Sequence, residues 1–309
     1  MDKIDLHNDL LNYLLIDSQR TPYDEGLKCS ISQMIKGEIR TQILAAFSLT
    51  PSDPRSLSIQ FARYLKLRSC RESLAKQIQF LWAIEDAQQL TGDSPLGKTV
   101  EDKIQNFLRS NNAPVYVSLT WIHENEFGGG DRTNVGLKPQ GSQLLEVLAA
   151  TNTTIDLSHA SDRLAYDIIN YREKKGHQNG LIISHTNFRS VHNVPRNVSD
   201  EIARYILKAN GLIGLSFSKS QLGIRDRLNT EEHFGYALSL DKKFEEVLCL
   251  GGDIYHQEDV PQALRKATSN FYPELSQSGD YITLNALSPN FLFANAHRYL
   301  KRNNFIAAD

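Results

Sequence analysis

Four short apolar runs of this chain each stop on a side chain able to hold a cation. They are Ile4-Asp5-Leu6-His7-Asn8-Asp9, Leu81-Trp82-Ala83-Ile84-Glu85, Thr154-Ile155-Asp156-Leu157-Ser158-His159 and Leu181-Ile182-Ile183-Ser184-His185. Imidazole offers a neutral nitrogen and carboxylate an anionic oxygen, a mixed set suited to zinc and related divalent ions. One such run means little. A strand-end histidine often caps or hydrogen-bonds, and a glutamate there can begin a helix, favoured by the dipole. Together the four look like strands whose C-terminal ends deliver donors to one place, as in a barrel metal centre.

Each donor has its own logic. His7 and Asp9 lie two apart, so on a strand they share a face. Glu85 at the end of an apolar strand would cost several kcal/mol if buried without a partner. Two cations could share its two oxygens. His159 and His185 sit in matched contexts, Leu-Ser-His and Ile-Ser-His, each with a helix start soon after. A further run, Leu250-Gly251-Gly252-Asp253, ends on a carboxylate that could ligate weakly or carry a proton during hydrolysis. A turn aspartate is the alternative. Its glycines permit close backbone approach.

Eight strand-like runs recur, at roughly 4–9, 40–49, 77–86, 113–121, 151–159, 180–185, 211–218 and 247–253. Most are rich in Val, Ile, Leu or Phe without strict alternation, as in strands buried on both faces of a parallel sheet. Amphipathic segments lie between them. Thr99 and Asp102 have capping-box spacing ahead of Ile104, Phe107 and Leu108; Ser161 can cap a helix carrying Leu164 and Ile168, and Thr230 one carrying Phe234 and Leu238. The alternation predicts a TIM-like (β/α)8 barrel of the α/β class, since an open sheet would draw ligands from fewer strand ends. The expectation is one catalytic domain over residues 1–309, with a C-terminal helical segment at about 285–303. Glu126-Phe127-Gly128-Gly129-Gly130-Asp131 reads as a loop over the barrel mouth, without a nucleotide-binding glycine pattern.

Composition narrows the partners. The chain has 309 residues, 40% hydrophobic and 23% charged, with net charge −2 and the charges mixed, so no basic stripe argues for nucleic acid or an anionic membrane. Three cysteines, Cys29, Cys70 and Cys249, are too few and too spread for a disulfide framework or a cysteine zinc site. No run approaches a membrane span, and the N-terminus lacks the pattern of a signal peptide. The simplest expected location is the cytoplasm.

These segments together resemble the membrane dipeptidase (renal dipeptidase) family of zinc peptidases. The resemblance rests on Leu6-His7-Asn8-Asp9-Leu10, the Ile84-Glu85 strand end, Ile155-Asp156-Leu157-Ser158-His159 and Ser184-His185-Thr186. Pro195-Arg196-Asn197-Val198-Ser199-Asp200-Glu201 and Phe271-Tyr272-Pro273-Glu274-Leu275 add to it. It implies two zinc ions per chain, one held by His7, Asp9 and Glu85 and the other by Glu85, His159 and His185. Ions about 3.5–4 Å apart can share a water, lower its pKa and present hydroxide to a peptide carbonyl. Asp253 matches the acid that handles the proton, and Arg196 the arginine that receives the substrate carboxylate, a task suited to a guanidinium fork. A homodimer is implied in the same way.

Two departures bear on the substrate. The family carries histidine directly after Leu-Thr at the fourth strand end, whereas Leu119-Thr120 is followed here by Trp121. His123 then becomes the candidate for polarising the carbonyl, Asn125 falls where the family often has asparagine, and Trp121 would shape the pocket. After Asp253 the family's second acid and glycine are replaced by Ile254-Tyr255-His256, which makes His256 a candidate substrate contact. The expectation is a metal-dependent dipeptidase acting on small dipeptides. Its rivals are a deacylase acting on N-acylated amino acids and a metal-binding paralogue impaired in catalysis.

Overall fold

The apolar runs become parallel strands because both of their faces are covered. The computed structural model describes residues 2–24, 28–49, 53, 55–70, 75–91, 102, 105, 106, 108, 112–223, 229–254 and 288–307. Within them β1 (Lys3–Asn8), β2 (Ile39–Ala46), β3 (Gln79–Ile84), β4 (Tyr116–Ser118), β5 (Thr154–Asp156), β6 (Leu181–Thr186), β7 (Ile213–Leu215) and β8 (Leu248–Leu250) pair in chain order. Leu250 of β8 pairs with Asp5 of β1, which closes a parallel barrel. Successive strand residues go to opposite sides. Ile43, Leu81, Tyr116, Ile182 and Cys249 share one buried cluster, and their neighbours Leu44, Trp82, Val117, Ile183 and Leu250 share another. The second cluster also holds Leu144, Leu164 and Ile202 from helices, so it is the layer between strands and helices. This is the expected α/β barrel.

The helices are α1 (Leu10–Ile16), α2 (Ile31–Lys36), α3 (Arg55–Ser69), α4 (Pro139–Ala150), α5 (Asp162–Lys175), α6 (Asp200–Lys208), α7 (Lys219–Leu222), α8 (Asn229–Leu240) and α9 (Asn295–Arg302). Ser161 caps α5 as its position predicts, its hydroxyl accepting from the Leu164 amide at 3.0 Å. Thr230 does not cap α8. That helix already includes Asn229, and Thr230 is buried in its first turn. The Thr99 capping position, His256 and the 271–275 segment lie outside the described residues. Asn290–Ala294 forms a π turn that runs into α9, within the expected C-terminal helical segment. α9 crosses the N-terminal ends of the later strands. Tyr299 shares a hydroxyl–hydroxyl bond of 3.0 Å with Thr154, and Asn295 donates to the Leu248 carbonyl at 2.8 Å. With that end covered, the opposite end is left to carry a site. No helix among the described residues is long and apolar enough to cross a membrane.

The observed strands β4, β5, β7 and β8 are shorter than the apolar runs that predict them. The residues beyond the last ladder bond leave the sheet and turn over the barrel mouth.

Candidate metal centre

At that mouth the donors from four strand ends converge. Glu85 is the hub. Its Oε2 lies 3.3 Å from His7 Nε2, while its Oε1 lies 3.0 Å from His159 Nε2 and 3.4 Å from His185 Nε2. Asp9 Oδ1 stands 3.7 Å from His7 Nε2. Three donor groups result: His7, Asp9 and Glu85; Glu85, His159 and His185; and His7, His185 and Asp253, each with ligand atoms within 4.8 Å of one another. The two oxygens of Glu85 therefore face two different sets of donors.

The far side of each ring fixes its tautomer. The Tyr116 hydroxyl donates to the Leu6 carbonyl at 3.0 Å, so at 2.8 Å it accepts from His7 Nδ1–H. Ser184 Oγ donates to Asp156 Oδ2 at 2.7 Å and accepts from His185 Nδ1–H at 2.8 Å. Asp131 Oδ2 can only accept, and it does so from His159 Nδ1–H at 3.0 Å. In the neutral form all three imidazoles spend their one proton outward and turn an Nε2 lone pair toward Glu85. In that form His159 Nε2 and His185 Nε2, 3.1 Å apart, are two acceptors facing each other. His7 Nε2 and Asp9 Oδ1 are buried and find no hydrogen-bond partner among the described residues. Orphaned acceptors in such a place are costly unless a cation meets them, so the donor set fits a divalent ion. Imidazole nitrogens with carboxylate oxygens, each ring anchored through its other nitrogen, are what such an ion requires.

Without a cation the positive charge sits on the rings instead: burial alone would lower His7 and His159, but Tyr116 and Glu85 raise His7 well above the ordinary histidine range, and Asp131 and Glu85 raise His159. Burial, the His7 charge and Arg196 together hold His185 well below the ordinary histidine range, hence neutral. Burial alone would raise Glu85; the His7 charge and hydrogen bonds from His159 and His185 reverse this and keep it well below the usual carboxylate range. Burial foremost raises Asp253 to about 7, against the lowering effect of His7.

The model of the membrane dipeptidase family, Peptidase family M19, matches residues 1–240. The chain belongs to that family. Among curated proteins it is 23% identical to an uncharacterized dipeptidase of Schizosaccharomyces pombe over 52% of this chain and 39% of that one. A Klebsiella pneumoniae protein encoded in the pqqA 5' region is 25% identical over 41% of this chain and 47% of its own length. The chain spans less than half the length of these two relatives. Two solved folds are similar: a metallo peptidase from Rhodobacter sphaeroides liganded with a phosphinate mimic of L-Ala-D-Ala, and dipeptidase AC, a metallo peptidase of family M19. The first has TM-score 0.76 and 16% identity, covering 98% of this chain and 99% of that one. The second has TM-score 0.74 and 17% identity, covering 98% of each.

Other site residues of this M19 chain fall in different places. Arg196 reaches the centre, its Nη2 donating to the His185 carbonyl at 2.7 Å while its buried Nε has no hydrogen-bond partner among the described residues. Asp253 is also there, oriented by Gln221 Nε2, which donates to its Oδ2 at 3.1 Å. Trp121 lies beside His159, ring centroids 6.2 Å apart, and 4.7 Å from Phe47. Asn125 is placed differently from a substrate contact. Its Nδ2 donates to Asp86 Oδ1 and the Leu119 carbonyl, and its Oδ1 accepts from the amides of Phe127 and Gly128. Those four bonds fold the loop and leave the amide nothing to offer a ligand. The structure does not bring His123 to the donors: its side chain is exposed and is in none of the three donor groups.

Sequence reasoning missed Tyr116 and Asp131. Tyr116 reads as a core aromatic in mid-strand, and Asp131 as the end of a glycine loop. The serines before His159 and His185 did carry a signal. Ser158 and Ser184 both donate to Asp156, and Ser184 anchors the adjacent imidazole.

Proposed function

We propose that the protein is a metal-dependent dipeptidase with a two-ion centre, zinc being the ion the donor set suits best. His7, Asp9 and Glu85 would hold one ion and Glu85, His159 and His185 the other. The observation that carries this is the three imidazoles, each with Nδ1–H tied outward and Nε2 turned on the two oxygens of one glutamate. Bound there, divalent ions supply Lewis-acid chemistry, acidifying water and polarising a carbonyl. Arg196 receives the substrate's terminal carboxylate on the outer face of its partly buried guanidinium. Asp253 takes the proton of the attacking water on a carboxylate oxygen and gives it to the amine nitrogen as the carbon–nitrogen bond breaks, its orientation set by Gln221. Phe47 and Trp121 form an aromatic wall beside the reacting groups and exclude water from that side. The test is hydrolysis of a dipeptide panel by protein loaded with zinc, with bound metal counted in parallel. No turnover in wild type at full occupancy by two ions would end the peptidase reading.

One observation favours a second reading on the same centre. The Phe47–Trp121 wall suits an apolar acyl group, as on an N-acylated amino acid. Comparing free-amino dipeptides with N-acyl amino acids at equal concentration separates the two.

A further inference from the structure

One carboxylate oxygen stands between the two halves of this site. Asp131 is 8% exposed, and its Oδ2 lies 3.0 Å from His159 Nδ1 and 3.6 Å from Arg196 Nε. That Nε is the buried, unbonded atom of the guanidinium, whose other end is pinned to the His185 carbonyl. The loop holding Asp131 is cross-braced to β5's end. Ser161 N donates to the Gly129 carbonyl at 2.9 Å, and Gly130 pairs with Ala160, next to His159. A Cβ at Gly130 would sit 1.9 Å from the Trp121 carbonyl, so only glycine lets the loop pass there.

We infer that Asp131 is a positioning residue that couples ion holding to carboxylate recognition, by anchoring His159 and Arg196 through the same oxygen. This rests on the two-ion reading above. The anchored Nδ1–H keeps Nε2 as the donor and makes it more basic. The negative charge beside Nε holds the guanidinium in place while leaving its outer face for a substrate carboxylate. The arms separate in one respect. Excess zinc can compensate a weakened His159 and cannot restore the placement of Arg196.

The experiment compares wild type, Asp131→Asn and Asp131→Glu by zinc titration against a chromogenic chelator and by steady-state kinetics on a cleaved dipeptide. Tyr116→Phe, which acts on His7 instead, is the control. In Asp131→Asn, one of two zinc ions should bind about 10–100-fold more weakly, the range for losing such an outer partner, with the other unchanged. In excess zinc, kcat should return toward wild type while KM stays raised about tenfold, as the guanidinium loses the ion-pair partner that places it. Asp131→Glu, which keeps the charge, should fall between and serves if the asparagine variant does not fold. Unchanged zinc affinities and KM in Asp131→Asn overturn the inference, as does a kcat loss that excess zinc does not repair. Wild type without stoichiometric zinc sinks the two-ion reading itself, and the inference with it; a zinc-loaded wild type matched by its variant sinks the inference alone.

Discussion

His233 gives the fold a pH dependence that one substitution should remove. Its ring is fully buried in α8, with Nδ1 accepting from the Phe188 amide at 3.0 Å and Nε2–H donating to the Leu222 carbonyl at 3.1 Å. Protonating Nδ1 would set two N–H groups face to face. Burial foremost, with a contribution from His192, accordingly lowers its pKa to about 4. In the unfolded chain it would titrate near 6.5. Between those values the unfolded state binds more protons, so stability is complete above pH 6.5 and is lost as pH falls toward 4. A gap of about 2.5 units corresponds to roughly 3 kcal/mol at 1.36 kcal/mol per unit. His233→Gln can keep one acceptor and one donor and cannot titrate. Urea unfolding of both proteins from pH 7.5 to pH 4, followed by tryptophan fluorescence, should show a wild-type decline steeper than the variant's by about 3 kcal/mol in total. Loss of bound ions at low pH affects both proteins and cancels in the difference. Parallel pH profiles would refute the reasoning.

Three further outcomes follow from the geometry. Glu85→Gln removes the carboxylate that faces both donor sets, so bound zinc measured after dialysis should drop toward zero and turnover by at least about 100-fold, the upper range for changes beside a ligand. Trp121→His should relieve the departure from the family pattern. It should raise dipeptide kcat and cost about 0.5–1.5 kcal/mol of stability with the lost Phe47 contact, read by turnover assay and chemical denaturation. Gly130→Ala drives a Cβ into the Trp121 carbonyl, where no flexible side chain can yield; a melting-temperature drop equivalent to about 1–3 kcal/mol, with weaker zinc binding, is expected.

The barrel and the five donors were legible because two signals coincide in one stretch of sequence. A run such as Leu181-Ile182-Ile183-Ser184-His185 announces both a strand buried on two faces and the place where it stops being one. Tyr116 gave no such signal. An aromatic in mid-strand is ordinary core, and only closure of the barrel brings its hydroxyl to His7, 109 positions away in the chain. Asp131 was hidden for the opposite reason, since a carboxylate after three glycines reads as solvated loop until the loop is seen braced against Ala160. Asn125 misled because its family position suggested a ligand contact. A loop of this tightness needs the same amide donors and acceptors that a substrate would, and the loop takes all four. What sequence periodicity cannot carry is which of two polar tasks a side chain performs.

The backbone at the mouth bears on why side chains stand there at all. Asp86, His159 and Asp253 take φ values of 66°, 64° and 55°, the left-handed region, just past the ends of β3, β5 and β8. A chain leaving a buried strand must turn sharply to run over the barrel's end, and glycine would do so without strain. Glycine, however, has no donor atom to aim back across the mouth. Strain of order 1–3 kcal/mol at each position persists only where surrounding packing over-determines it. Here that packing is a closed barrel covered by helices on its flanks and by α9 beneath. Aspartate and histidine are also among the residues that enter the left-handed region most readily. The same residue types serve the turn and the cation, so the strained turns at His159 and Asp253 place donor atoms where the strand ends alone could not.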